Sequence, residues 1–221
     1  MVDNTAQGQP KYDQLPESGR RQAALVAAHK LILLPSDPDG PVVRADRLAT
    51  ELQAIGLIGP PRKLHNDIYF PVGEHFLQLI IFLGCSPMIE LQPPSDPVTL
   101  AADSASGKFC HVFLSSSETL RFRSDPHTPV PRCPACRTPQ ADWQSRLQAW
   151  RDDPVHSDWH CRQCGATGDI TGLSFRKTAG FGRCFVEIRG IYPSEAVPAE
   201  NLLNTLKSLT HGDWSTLYIK E

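Results

Sequence analysis

"CPAC" (133–136) and "WHCRQCG" (159–165) carry two Cys-x-x-Cys turns separated by 24 residues. In such a turn two thiolates converge on one point, while the backbone amides of the turn stabilise the sulfur charge. Two turns together supply the tetrahedral four-sulfur cage that Zn²⁺ prefers, with Zn–S distances near about 2.3 Å. The candidate ligands are Cys133, Cys136, Cys161 and Cys164. Pro134 restricts the first turn, and Gly165 suits the positive φ that follows the second. Four thiolates close the shell and leave no position for water, which predicts a structural and not a catalytic metal. Iron fits the same cage as the alternative metal, and His160 is not needed as a ligand. A thioredoxin-like redox motif would be a single Cys-x-x-Cys next to a βαβ pattern; here there are two, and neither opens an obvious helix.

On these four cysteines and their flanking Pro134 and Gly165, the stretch 133–165 resembles a zinc ribbon of the rubredoxin-like knuckle type. The resemblance implies a small loop-rich module that presents loops and a short sheet to a protein or nucleic-acid partner. It does not extend to the rest of the chain. The gap between the knuckles exceeds the roughly 15–20 residues of the commonest pattern. "ADWQSRLQAWRDDPVHSDW" (141–159) fills it with a short helix and a loop, with Trp143, Leu147 and Trp150 on one side.

The chain has 221 residues, 40 % of them hydrophobic and 21 % charged, within the globular range and long enough for one large or two small domains. Its 20 prolines predict many loops and short elements. The net charge of −2 gives no global attraction to nucleic acid or to an anionic membrane. Residues 1–18 read as a polar tail without the apolar segment of a secretory signal. "FLQLIIFLG" (76–84) is about half the length of a membrane span. Seven cysteines, an odd number, fit poorly with a secreted disulfide framework. A cytoplasmic protein is expected.

Outside the cysteine region the pattern is α+β: a mixed or antiparallel sheet with a few helices and an inserted zinc ribbon. The α+β part is expected over 19–124 and 181–221, with the ribbon insertion at 125–180. "RRQAALVAAHKLILL" (20–34) begins alanine-rich and helical and ends strand-like. "RADRLATELQAIG" (44–56) spaces Leu48, Leu52 and Ile55 as a helix face and stops at Gly56. "DIYF" and "MIEL" read as strands, and "GEHFLQLIIFLG" leans towards helix. "FCHVFLS" and "TLRFR" read as a hairpin turning near "SSE", and "GLSFRKT" and "RCFVEIRG" as a second one. The chain closes with a helix starting near Pro198, carrying Leu202, Leu203, Leu206 and Leu209 and stopping at Gly212, and then the strand "WSTLYI". The stretches 35–56 and 193–212 echo each other: each begins Pro-Ser-acid and ends as a glycine-capped amphipathic helix.

No phosphate-cradling glycine loop, nucleophile elbow or His-Glu-x-x-His helix is present. Cys85, Cys110 and Cys184 lie in apolar runs and read as buried thiols. Cys110 and His111 are neighbours on a strand and so face opposite ways. No catalytic residue and no small-molecule substrate is identifiable. An enzyme with an unrecognised site outside the ribbon is the weakest of three readings. Charge separates the other two. Residues 121–183 hold ten Lys or Arg against six Asp, a local charge of +4. Arg132, Arg137, Arg162, Arg176 and Lys177, with Trp143, Trp150 and Trp159, form the candidate partner surface. Arginine and tryptophan anchor protein interfaces, and the same pair suits single-stranded nucleic acid. A protein-binding or assembly role leads, and nucleic-acid binding is the alternative.

Overall fold

The computed structural model describes residues 29–64, 67–84, 89–105, 107–154 and 158–220. The polar tail 1–18, the alanine-rich stretch before His29, and Cys85 lie outside them. The chain is α+β. A six-stranded sheet, antiparallel at every pairing, runs in the order β10-β1-β8-β5-β3-β2. Its strands are β1 (His29–Pro35), β2 (Arg62–Leu64), β3 (Asp67–Pro71), β5 (His111–Ser124), β8 (Ala179–Arg189) and β10 (Trp214–Lys220). Two small ribbons accompany it: β4 (Ile80–Phe82) with β9 (Ala196–Pro198), and β6 (Asp158–His160) with β7 (Thr167–Asp169). The helices are α1 (Ala45–Ala54), α2 (Phe76–Leu79), α3 (Pro97–Ala105), α4 (Trp143–Asp152) and α5 (Glu200–Thr210). No described helix is long and apolar enough to cross a membrane.

The principal core lies on one face of the sheet. Strand alternation sends Leu31, Leu33, Val112, Val186 and Ile188 to this side, where Leu48 and Leu52 of α1 and Leu202, Leu206 and Leu209 of α5 meet them. Both echoing stretches thus end as helices on the same layer. Gly56 has φ +73° directly after α1, as the sequence predicts, whereas α5 ends on His211, itself left-handed at φ 56°. Pro198 belongs to β9 and precedes the helix.

Several local expectations are corrected by pairing. "FCHVFLS" and "TLRFR" are one strand, β5, because both halves pair with the same partner, β8. The "SSE" between them is a register shift after Ser116, not a turn. "GLSFRKT" forms a 3-10 turn and loop, with regular strand beginning only at Ala179. "FLQLIIF" divides into a four-residue helix and a three-residue strand. No strand includes residues 89–91.

The opposite face carries Ile32, Leu34, Phe185, Leu217 and Ile219. Here the sheet curls over itself. A Cβ on Gly180 would lie 3.2 Å from Leu34 Cδ1 and 3.4 Å from Leu217 Cδ1, so the start of β8 crosses directly over β1 and β10. The loops joining β5 and β8 to the cysteine region then cap the outer edge of β10. Tyr218 N donates to Lys177 O at 2.8 Å, and Lys220 N to the Asp125 carboxylate at 2.8 Å. Within the curl, Glu187 is 3.6 Å from Lys30 Nζ and 3.1 Å from Arg123 Nε, and Arg123 lies over the Phe185 ring. Lys30 and Glu187 are both buried, so each compensates the charge of the other.

Candidate metal centre

Residues between β5 and β8 build a second core. Trp143, Leu147 and Trp150 form the inner face of α4, as their spacing predicts, and Trp159, Ile170, Leu173, Phe175, Ala179 and Phe181 complete it. The module is joined to the sheet through alternation in β8: Gly180 and Gly182 face Leu34, while Ala179 and Phe181 face the tryptophans. Phe122 of β5 packs at 4.7 Å from Phe181 and 5.4 Å from Phe175. The Trp159 indole N–H donates to Asp169 O at 2.8 Å, tying β6 to β7. Arg146 joins α4 to β6 by bonds to Asp142 and to the carbonyl of Asp158.

The two cysteine turns have the same backbone wiring. In the first, Arg137 N donates to Cys133 O at 2.9 Å and Cys133 N to Thr138 O at 2.9 Å. In the second, Gly165 N donates to Cys161 O at 2.9 Å and Cys161 N to Ala166 O at 2.7 Å. The fifth residue of each turn is left-handed: Arg137 at φ 63° and Gly165 at φ 74°. Pairing of the turns brings the four Sγ atoms within 4.8 Å of one another. Cys133 and Cys164 are 3.8 Å apart and Cys136 and Cys161 3.6 Å. Ligands held about 2.3 Å from a tetrahedral centre lie about 3.8 Å from each other, so the cage has the size of a four-thiolate metal site. The sulfurs are free thiols too far apart for disulfides. His160 is exposed and takes no part in the cluster.

Two polar neighbours missed by spacing alone orient the sulfurs. The Thr138 hydroxyl lies 3.2 Å from Cys136 Sγ. Its hydrogen bonds, side chain first and then backbone, hold the Cys136 thiol down to about 6. Gln140 is buried and donates to Cys161 Sγ at 3.7 Å and to Thr138 O at 3.1 Å, bridging the two turns. The backbone amide of Ala166 favours the Cys164 thiolate, yet the neighbouring sulfurs, Cys136 foremost, outweigh it and push that thiol up to about 12. Opposed shifts within one cluster are what competing negative charges produce, and a dication resolves the competition. The signal for these helpers was present only as a threonine two residues after Cys136 and a glutamine four after it.

The structure separates the candidate partner residues. Trp143, Trp150 and Trp159 are 8 %, 7 % and 2 % exposed and belong to the module's core. Arg132, Arg137, Arg162, Arg176 and Lys177 are on its surface. Arg132, Arg137 and Arg176 come together with Ser174 around one cavity of about 490 Å³ beside Cys133. Arg162 borders a different hollow, with Arg146 and His160. Lys177 lines a groove toward Trp214. A further cavity of about 850 Å³, with no local signal in the sequence, lies between β5 and α4, where Arg121, Arg151 and Arg183 face Asp39, Glu118 and Asp169.

Cys110, Cys184 and His111 are internal. Burial pushes Cys110 up to about 12 and Cys184 up to about 11. His111 bonds to Ser104 Oγ at 2.8 Å and to Phe109 O at 2.9 Å. Ser104 is 1 % and His111 0 % exposed, so the pair is closed to any substrate.

Comparison of the chain with protein-family models, with curated proteins and with solved structures gives no match.

Proposed function

We propose that this chain is a zinc-dependent protein-interaction or assembly module in which the metal is structural. The observation that carries the reading is the four-sulfur cluster set against an interior rich in aromatic rings. The cysteines fill a tetrahedral shell, and all three tryptophans of the segment are core residues. Metal and rings hold the module together, and arginines form its outer surface. Zinc suits a four-thiolate tetrahedron with no redox demand, and iron is the competing occupant.

Protein binding is favoured over single-stranded nucleic acid by the fate of the tryptophans. Base stacking needs exposed aromatic faces along a basic track, and these three rings have none to offer. The test combines metal analysis of the native protein with affinity capture before and after chelation. One zinc per chain and a defined partner set lost on chelation are expected. Salt-sensitive retention on single-stranded RNA or DNA near about 50 mM salt, without protein partners, would replace this reading by the nucleic-acid one.

A further inference from the structure

Arg132, Arg137 and Arg176 surround a single cavity of about 490 Å³, and no acidic residue lines it. None of the three forms an ion pair among the described residues. Their backbones are locked together: Arg132 N donates to Ser174 O and Ser174 N to Arg132 O, both at 3.0 Å. This double bond fastens the first cysteine turn to the loop that carries Arg176. The backbone beneath the cavity is therefore fixed by the fold, and the Arg132 guanidinium also donates to Arg137 O at 3.2 Å.

Backbone conformation bears on the same cavity. Four non-glycine residues in the described chain have positive φ: Arg137, Arg176, Ser194 and His211. Two of the four are arginines of this one cavity. A side chain in the left-handed region costs roughly 1–2 kcal/mol. The second cysteine turn shows the relaxed solution, because Gly165 occupies the position equivalent to Arg137. Arg137 is held left-handed by the cysteine turn itself, and Arg176 lies in the loop that the Arg132–Ser174 bonds fasten beside it, so both side chains leave the backbone at fixed positions around one cavity.

We propose that this three-arginine cradle binds a phosphorylated serine or threonine in a partner protein, with the Ser174 hydroxyl and the guanidiniums as donors. The inference rests on the protein-interaction reading above and names its partner class. Clustered guanidiniums match the geometry of a phosphate dianion through paired N–H···O bonds. The cavity has room for a phosphorylated side chain with its flanking backbone, and no aromatic lining on which a base could stack. A nucleic-acid track would also extend over a chain whose net charge is −2. Zinc on four thiolates retains two negative charges, which the three guanidiniums more than offset.

The experiment uses the metal-loaded full chain and fluorescence anisotropy with three probes: a degenerate phosphoserine/phosphothreonine peptide library, the same library unphosphorylated, and an oligouridylate. The variant is Arg137→Gly with Arg176→Gly, which removes both guanidiniums and relieves both left-handed positions, so the fold is retained. Phosphopeptide binding in the wild type, competed by inorganic phosphate, is expected to fall about tenfold or more in the variant, with zinc content and thermal midpoint preserved. Equal binding of both peptide libraries would overturn the phosphate assignment and leave the interaction reading standing. Binding of oligouridylate alone would overturn both. Weakened zinc affinity in the variant, with phosphopeptide binding intact, would assign the arginines to charge balance at the cage and overturn the proposal.

Discussion

Trp150 of α4 and Phe181 of β8 meet edge to face, their ring centroids 5.0 Å apart and their planes at 78°. One residue belongs to the cysteine module and the other to the longest strand pairing of the sheet. The adjacent Gly180 packs on Leu34 and Leu217 in the curl of that sheet. Two consecutive residues of β8 thus serve two cores, and the module is continuous with the sheet through its side chains as well as its backbone.

Phe181→Ala should therefore loosen the module's core and its attachment to the sheet. A buried phenylalanine truncation costs about 3–5 kcal/mol, and denaturant unfolding of the metal-loaded protein would measure it. In a double-mutant cycle with Trp150→Ala, a coupling of about 0.5–1.5 kcal/mol is expected from the ring pair. Strict additivity of the two substitutions would mean that the rings do not share one packing unit.

Metal removal should have a graded footprint. Structural zinc contributes on the order of 10 kcal/mol to small metal-folded units. Chelation or Cys133→Ser should abolish hydrogen-exchange protection across 125–180 and weaken it at Phe122 and Phe181. Amides around Leu31, Leu48, Val186 and Leu206 should keep theirs, because their packing lies in the other core. Unchanged protease resistance between 125 and 180 after metal removal would contradict a structural metal.

The equivalence of the two cysteine turns predicts opposite responses at one position. A methyl group on Gly165 would meet nothing within 4 Å, but φ is +74° there. Gly165→Ala should therefore destabilise through backbone strain alone, by about 1 kcal/mol. Arg137→Gly should be near neutral, since relief of strain offsets the added freedom of the unfolded chain. Thermal unfolding of the metal-loaded variants would report both. A large loss in Arg137→Gly would show that its side chain holds the turn.

His111 should make stability sensitive to mild acid. Burial, first, then the positive charges of Arg189 and Lys30 push it down to about 4, against the single bond to Phe109 O. Tyr69, Phe109 and Phe113 surround the ring, with Ser104 from α3 on its other nitrogen. The unfolded chain binds this proton near pH 6.5 and the folded chain only near pH 4. Stability is then complete above about pH 6.5 and falls as pH drops towards 4, by about 3 kcal/mol. His111→Gln should flatten that part of the pH profile. An equal slope in the variant would assign the acid sensitivity to other groups.

Local sequence determined the features whose physics is local. Two Cys-x-x-Cys turns specify a four-sulfur cage wherever they meet, and the apolar spacings of α1, α4 and α5 specify which helix face turns inward. Tertiary structure alone decided the features that depend on distant partners. β5 is one strand because a single neighbour pairs with both of its halves, which no period within 111–124 reveals. The tryptophans read from sequence as part of a displayed partner surface, and they are core because β8 and α4 close over them. Arg132, Arg137 and Arg176 are separated by up to 44 residues along the chain. The paired bonds between Arg132 and Ser174 bring them to one cavity, because burial and charge clustering are set by which surfaces the folded backbone apposes.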